Sequence, residues 1–329
     1  MVLSEMPLKE ILPLSGESEL DPLFRAMFDA RAENVAERST AFAGSIPLEE
    51  LRFAYRAMRK AQDRQPPKDV LTEGLIVDGG AGQLRARLYV PADLPTPSGL
   101  LIYFHGGGFV VGDLETHDGL CRRLARGGRC RVISMEYRLA PEHSFPAGHD
   151  DALATVRWCF ENAEKLNVDA GRIAVGGDSA GANLAAYTAN ALVRDPDYPV
   201  AWQMLLYPVT WPASPTTSRE EFDGPVLTKA ELAWFESCLA FRGKSGCERA
   251  ELWRAKLDGV APALLVTAGH DPLRDEGQDY AERLAAEGVE VKYLHFAELP
   301  HDFYIMPDIS PAVSRAISLT STELRAQLA

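Results

Sequence analysis

The pentapeptide Gly177-Asp178-Ser179-Ala180-Gly181 sets a serine between two glycines in the spacing G-x-S-x-G. An apolar run at 173–176 precedes it, and an alanine-rich stretch of helical spacing at 180–193 follows. In that context the pentapeptide is a sharp strand-to-helix turn that presents the serine hydroxyl as a nucleophile. Such a turn strains the serine backbone, and side chains larger than glycine two positions to either side would clash. It also puts Ser179 at the amino terminus of the helix, where the dipole favours developing negative charge. A plain glycine–serine turn would account for the pentapeptide alone. The strand before it and the helix after it favour the nucleophile.

His105-Gly106-Gly107-Gly108-Phe109 directly follows an apolar run at 100–104. Three glycines leave backbone N–H groups unobstructed, so they can approach a ligand closely. An oxyanion hole needs such donors, held where a carbonyl oxygen becomes negative. One competing reading is a plain glycine loop, and the other is a phosphate-binding loop. The latter would open into a helix with a G-x-G-x-x-G or Gly-Lys-Ser/Thr pattern, and neither is present here.

A nucleophilic serine needs a base, and the base needs an acid to orient it. Chain order in the α/β-hydrolase arrangement is serine, acid, histidine, which leaves only His270, His295 and His301 of the seven histidines. His295 falls inside a predicted strand, and His270 abuts the predicted acid. His301, within Glu298-Leu-Pro-His301-Asp-Phe303, falls on a loop beyond that strand and is the expected base. The expected acid lies in Val266-Thr-Ala-Gly-His-Asp271-Pro-Leu-Arg-Asp275. Asp271 directly follows a strand, and Pro272 biases it away from helical geometry. Asp275 enters the next helix, where an amino-terminal charge explains it sufficiently.

The elements that position these residues follow from composition and periodicity. The chain has 329 residues, 46% of them hydrophobic, enough to bury a large core without disulfides. Its 47 acidic against 34 basic residues give a net charge of −13, which argues against nucleic acid or an anionic membrane as partner. The five cysteines form no Cys-x-x-Cys pair, so free thiols in a reducing compartment are expected. The amino terminus has no basic region followed by an apolar one, and no stretch approaches about 18 apolar residues. Cytoplasmic localisation is the expectation, without membrane insertion.

Strands are predicted at 100–104, 131–136, 173–176, 203–207, 263–268 and 289–296, with helices at 150–166 and 180–193 between them. A hairpin at about 75–91 starts the sheet, and the partly alternating pattern at 289–296 suits an outer strand. Such alternation predicts a mostly parallel sheet covered by helices, an α/β fold. Two segments stand outside it. Residues 1–65 read as helices, with Leu20, Leu23, Phe24, Met27 and Phe28 on one face and Leu48, Leu51, Tyr55 and Met58 on another. Residues 210–258 read as a helical insertion, with Pro212, Pro215 and Pro225 ahead of Thr228-Lys-Ala-Glu231 in capping-box spacing. The core then comprises residues 66–209 and 259–329.

Taken together, the motifs resemble the bacterial hormone-sensitive-lipase-like esterases, family IV of the lipolytic α/β-hydrolases. The resemblance runs from about residue 98 to 305. It rests on His105-Gly-Gly-Gly-Phe109, Val111-Gly112-Asp113, Tyr137-Arg-Leu-Ala-Pro-Glu-His143 and Phe145-Pro-Ala147. Gly177-Asp-Ser-Ala-Gly181, Leu206-Tyr-Pro-Val209 and Asp271-Pro-Leu-Arg-Asp-Glu-Gly277 continue it in order. The resemblance implies Ser179 as nucleophile, Asp271 as acid and His301 as base. It assigns the oxyanion donors to the N–H groups of Gly107, Gly108 and Ala180, with Gly106 a neighbouring contributor. It further implies a helical cap from residues 1–65 and 210–258, no cofactor or metal, and a small ester as substrate. Many family members pair through the last strand and its adjoining helix.

Two positions depart from the family pattern. Asp302 follows His301 where glycine is usual; its charge would raise the imidazole pKa if it comes close. Arg249-Ala-Glu-Leu-Trp253-Arg-Ala replaces a proline-containing loop. The implied activity is a carboxylesterase for short- to medium-chain esters. An amidase, formamidase or lactonase would use the same groups. Plant gibberellin receptors, which bind ligand on this fold without catalysis, lack the histidine that His301 supplies here.

Overall fold

A computed structural model gives the structure and describes residues 18–32, 46–211, 214–224 and 226–328. The apolar runs become strands because their residues divide between two hydrophobic layers. Leu100, Ile102 and Phe104 pack into one cluster, while Leu101 and Tyr103 pack into another on the opposite face. All five are fully buried, as a strand covered on both sides requires.

The strands are β1 (Val70–Gly79), β2 (Gly82–Pro91), β3 (Ser98–Phe104), β4 (Arg131–Met135), β5 (Val168–Asp178), β6 (Trp202–Leu206), β7 (Ala263–His270) and β8 (Val291–Pro300). They form one eight-stranded sheet in the order β1-β2-β4-β3-β5-β6-β7-β8. β2 pairs antiparallel with both β1 and β4, and the other neighbours run parallel. The predicted opening hairpin is β1 and β2, longer than periodicity suggested. β8 is an outer strand, as its alternation indicated. It continues to Pro300 because its pairing with β7 resumes after an irregularity, at His270 and Pro300. His301 therefore leaves directly from a strand end.

Helices α1 (Pro22–Ala32) and α2 (Leu48–Gln62) precede the sheet. Of the apolar face read on α1, Phe24 is buried but Leu23 is half exposed. On α2, Leu51 and Tyr55 are buried, and Leu48 and Met58 pack beside them. Residues 1–17 and 33–45 of the predicted helical segment lie outside the described residues.

Helices α3 (Asp118–Gly128), α4 (Ala147–Glu161) and α5 (Ala180–Leu192) lie between strands. The predicted helix at 150–166 starts earlier, and after Glu161 the chain turns to enter β5, which begins at Val168. Two helices, α6 (Thr217–Glu221) and α7 (Lys229–Leu239), occupy the stretch between β6 and β7. There Thr228 Oγ1 accepts from the N–H of Glu231, and Glu231 Oε2 accepts from the N–H of Thr228, closing the predicted capping box. No strand occurs among the described residues of this stretch; Pro212 and Pro225 lie outside them. Finally α8 (Arg274–Ala286) and α9 (Pro311–Leu328) follow β7 and β8. Side chains of α4, α5 and α8 fill one cluster, and those of α3 and α9 fill the other.

Candidate active site

The ends of β5, β7 and β8, with β6 between the first two, bring the chemistry-bearing residues together. Ser179 stands at the β5–α5 turn with φ 53° and ψ −115°, a strained backbone for a residue with a side chain. The turn is possible because the glycines are small. A Cβ on Gly181 would lie 1.9 Å from the carbonyl oxygen of Phe104, and one on Gly177 would lie 2.4 Å from Gly181. The N–H of Ser179 donates to the Leu206 carbonyl at 2.8 Å, fixing the turn to β6.

His301 Nε2 lies 3.0 Å from Ser179 Oγ, and His301 Nδ1 lies 2.7 Å from Asp271 Oδ2. Asp271 is fully buried, and its other oxygen accepts from the N–H of Leu273 at 2.8 Å. Asp275 is turned elsewhere: its carboxylate accepts from the N–H of Ser218 and from Arg274 Nε, tying α8 to α6. The other two candidate histidines are also apart from the serine. His270 Nε2 contacts the Ser18 carbonyl at 2.9 Å, and His295 Nδ1 contacts Thr267 Oγ1 at 2.9 Å.

The glycine loop is bound to this turn through Asp178. Its Oδ1 accepts from Tyr103 Oη at 2.6 Å and from the N–H of Gly106 at 3.1 Å, and Oδ2 lies 3.2 Å from His117 Nε2. Burial opposes its charge, but His117 and Tyr103 outweigh burial and hold its carboxyl below the usual range. Gly108, at φ +60°, has no room for a side chain: a Cβ would lie 2.3 Å from the Phe235 ring. Gly107, Gly108 and Ser179 line one cavity, and Ala180 begins α5 immediately behind.

That cavity has a volume of about 210 Å³. Leu51, Tyr55 and Met58 of α2 wall it on one side, and Leu232 and Phe235 of α7 on the other. Asp302 enters the same cavity. Its φ of 62° places it in the left-handed region, which aspartate tolerates better than most residues. Asp302 Oδ2 pairs with Arg59 Nη2 at 2.5 Å, and Oδ1 lies 3.5 Å from His301 Nε2. Burial opposes the imidazolium, but Asp271 and then Asp302 outweigh it, and the pKa of His301 is raised to about 9. Tyr207 backs the imidazole, with ring centroids 4.8 Å apart.

Sequence reasoning missed several of these groups. Tyr103, His117 and Arg59 carry no motif of their own, and Asp178 read only as the variable position of the pentapeptide. The departing segment at 249–255 is pinned to the core. Arg249 Nη1 donates to Asp150 Oδ1 at 2.9 Å, and the Ala250 carbonyl accepts from Asn183 Nδ2 at 2.8 Å. Among the described residues, no group of three or more His, Cys, Asp or Glu side chains could hold a metal ion.

Comparison with known proteins places the chain among esterases of this fold. Residues 101–305 match a model of the alpha/beta hydrolase fold. The chain is 38% identical to esterase LipI of Mycobacterium tuberculosis over 282 residues, 84% of this chain and 88% of that one. It is 34% identical to carboxylesterase NlhH of the same species over 311 residues, 92% of this chain and 95% of the other. Among solved structures, the hyperthermophilic esterase from Pyrobaculum calidifontis superposes with a TM-score of 0.86 at 35% identity. That match covers 94% of this chain and 99% of the other.

Proposed function

Because the chain belongs to the α/β-hydrolase fold family, in its hormone-sensitive-lipase-like branch, we propose that it is a serine carboxylesterase for short- to medium-chain esters. One observation carries this reading. Asp271, His301 and Ser179 form a continuous line of 2.7 and 3.0 Å contacts that ends in an apolar cavity.

In the proposed reaction Ser179 Oγ attacks the ester carbonyl carbon, and its proton passes to His301 Nε2. Asp271 keeps the Nδ1 proton in place and stabilises the imidazolium that forms. The carbonyl oxygen, now negative, is held by the N–H groups of Gly107, Gly108 and Ala180. The C–O bond to the alcohol breaks as His301 returns the proton to the leaving oxygen. Water then attacks the acyl-serine with His301 again as base, releasing the acid and restoring Ser179.

The cavity supports a limited acyl length, since about 210 Å³ lies below the ~300–1,000 Å³ of sites for drug-sized ligands. We assign residues 1–65 and 210–258 to the cap, and residues 66–209 and 259–329 to the core. The cap assignment is supported by the cavity walls that α2 and α7 provide. An organophosphonate is expected to label Ser179 stoichiometrically, and Ser179→Ala to abolish turnover of a chromogenic ester series. Label on another serine, or full activity in Ser179→Ala, would sink the proposal. Matched anilides in the same assay separate an ester hydrolase from an amidase.

Two further assignments complete the proposal. Chains pair through β8 and α9: among the described residues β8 is the last strand of the sheet, and Leu319 on α9 is 51% exposed. Sedimentation of a dimer that Leu319→Asp dissociates is the expected result. The protein works in the cytoplasm, a reading supported by five free cysteines, three of them buried. No helix among the described residues is long and apolar enough to cross a membrane. Cell fractionation checks the compartment.

A further inference from the structure

The imidazole of His301 has a carboxylate at each nitrogen. Asp271 holds Nδ1, while Asp302 Oδ1 stands 3.5 Å from Nε2, the nitrogen that Ser179 Oγ also reaches. Asp302 is not free to swing away. Arg59 takes its other oxygen at 2.5 Å, from a helix 243 residues earlier in the chain, and both side chains are almost wholly buried. Arg59 is itself fixed by Gln62 Oε1 at 3.2 Å and by the Tyr55 ring, 4.7 Å beneath its guanidinium. An aspartate that merely filled the left-handed position after the histidine would need no such anchor.

We propose that Asp302, clamped by Arg59, is a second orienting carboxylate for the base, a positioning residue that sets the pH range in which His301 accepts a proton from Ser179. This rests on the reading of Ser179 and His301 as nucleophile and base. Electrostatics give the direction. A carboxylate beside Nε2 opposes the neutral imidazole, whose lone pair points there, and favours the imidazolium, whose N–H does. Charge formed on His301 during attack is thereby stabilised, but the resting enzyme holds more of its base protonated at neutral pH.

The described residues set further charged and titratable groups around the imidazole from β5, β6, β7, α2 and α7. Asp271 closes the β7 side and Asp178 the β5 side, and the Tyr207 phenol is buried with a pKa well above its ordinary value. From α2 come Arg59 and Tyr55, the latter also raised by burial. Glu231 and Glu236 of α7 line the cavity farther out, Glu231 with its carboxylate on the Thr228 N–H. Among these groups Asp302 is the carboxylate that faces Nε2.

The test is the pH profile of kcat/KM for one short ester in the wild type, Asp302→Gly and Asp302→Asn. Glycine takes the left-handed backbone without cost, and asparagine keeps the shape while losing the charge. The wild-type acid limb is expected near pH 9, the value to which His301 is raised. Both variants should move it down by about one unit or more, which at pH 7 raises the fraction of neutral base about tenfold. Either single variant leaves Arg59 buried without its partner, so Asp302→Gly/Arg59→Met is made alongside them. It should shift the limb in the same direction. A second readout needs no turnover: the downfield Nδ1 proton of His301, followed by NMR, should titrate at lower pH in all three variants. An acid limb and a proton titration that stay at the wild-type position would overturn the proposal. Full activity in Ser179→Ala would instead overturn the functional reading, leaving the NMR titration to decide the role of Asp302.

Discussion

Asp178 accepts the N–H of Gly106 at 3.1 Å across 72 residues of chain, which makes the serine turn and the glycine loop one rigid piece. The attacking oxygen and the amides that would meet the oxyanion are positioned relative to each other by this carboxylate. Tyr103 and His117 complete its partners from β3 and from the start of α3. Asp178→Ala strands three donors or charges in the core. It should cost about 3–5 kcal/mol, the usual effect of breaking a buried charged pair. Because the folded carboxyl lies below its ordinary value, its contribution is present above the unfolded pKa of ~3.9 and is lost as pH falls through the folded value. Urea unfolding at pH 7 should show the full difference between wild type and variant. The difference should narrow progressively on acidification below about pH 4.

Asp271→Asn should leave substrate binding largely intact and lower kcat by about 10⁴, since the amide favours the wrong imidazole tautomer. Asp275→Asn weakens only the tie of α8 to the Ser218 N–H of α6 and the contact with Arg274 within α8. A stability loss of roughly 1 kcal/mol or less is expected there, with kcat nearly unchanged. Steady-state kinetics on the two variants check both. A collapse of kcat confined to Asp275→Asn would reverse the roles.

Gly181→Ala puts a methyl group 1.9 Å from the Phe104 carbonyl oxygen, and neither backbone can yield without opening the turn. Destabilisation of at least 1–3 kcal/mol is expected, with loss of activity exceeding loss of fold. Gly74→Ala on β1 is the control, because nothing lies within 4 Å of its Cβ position. That change should be within about ±1 kcal/mol of wild type. Equal melting temperatures for the two variants would contradict the packing account.

Phe235→Ala removes the ring that closes over Gly108 and widens the cavity. If this wall limits acyl length, esters longer by two methylenes should gain relative to short ones. At about 0.8 kcal/mol per buried methylene, kcat/KM should shift by roughly tenfold in ratio. A chain-length series with an unchanged optimum would place the limit elsewhere.

Ser179 stands out locally in the sequence, whereas Asp271 and His301 emerge as candidates only from chain order and from their places after predicted strands. Gly177 and Gly181 flank the serine at the spacing a tight turn needs. Asp271 and His301 follow apolar runs that can only be strand ends. The hairpin, the parallel strands and the outer position of β8 were legible for the same reason: period and composition report which faces are buried. What joins distant segments was not legible. That Arg59 of α2 meets Asp302, that Asp178 gathers Tyr103, Gly106 and His117, and that α2 and α7 meet over Ser179 depend on strand order and helix seating. Local periodicity records how a segment is buried and not against what. Only when the sheet set β5, β7 and β8 in order, and α2 lay across their ends, did a lone aspartate after His301 become a neighbour of Nε2.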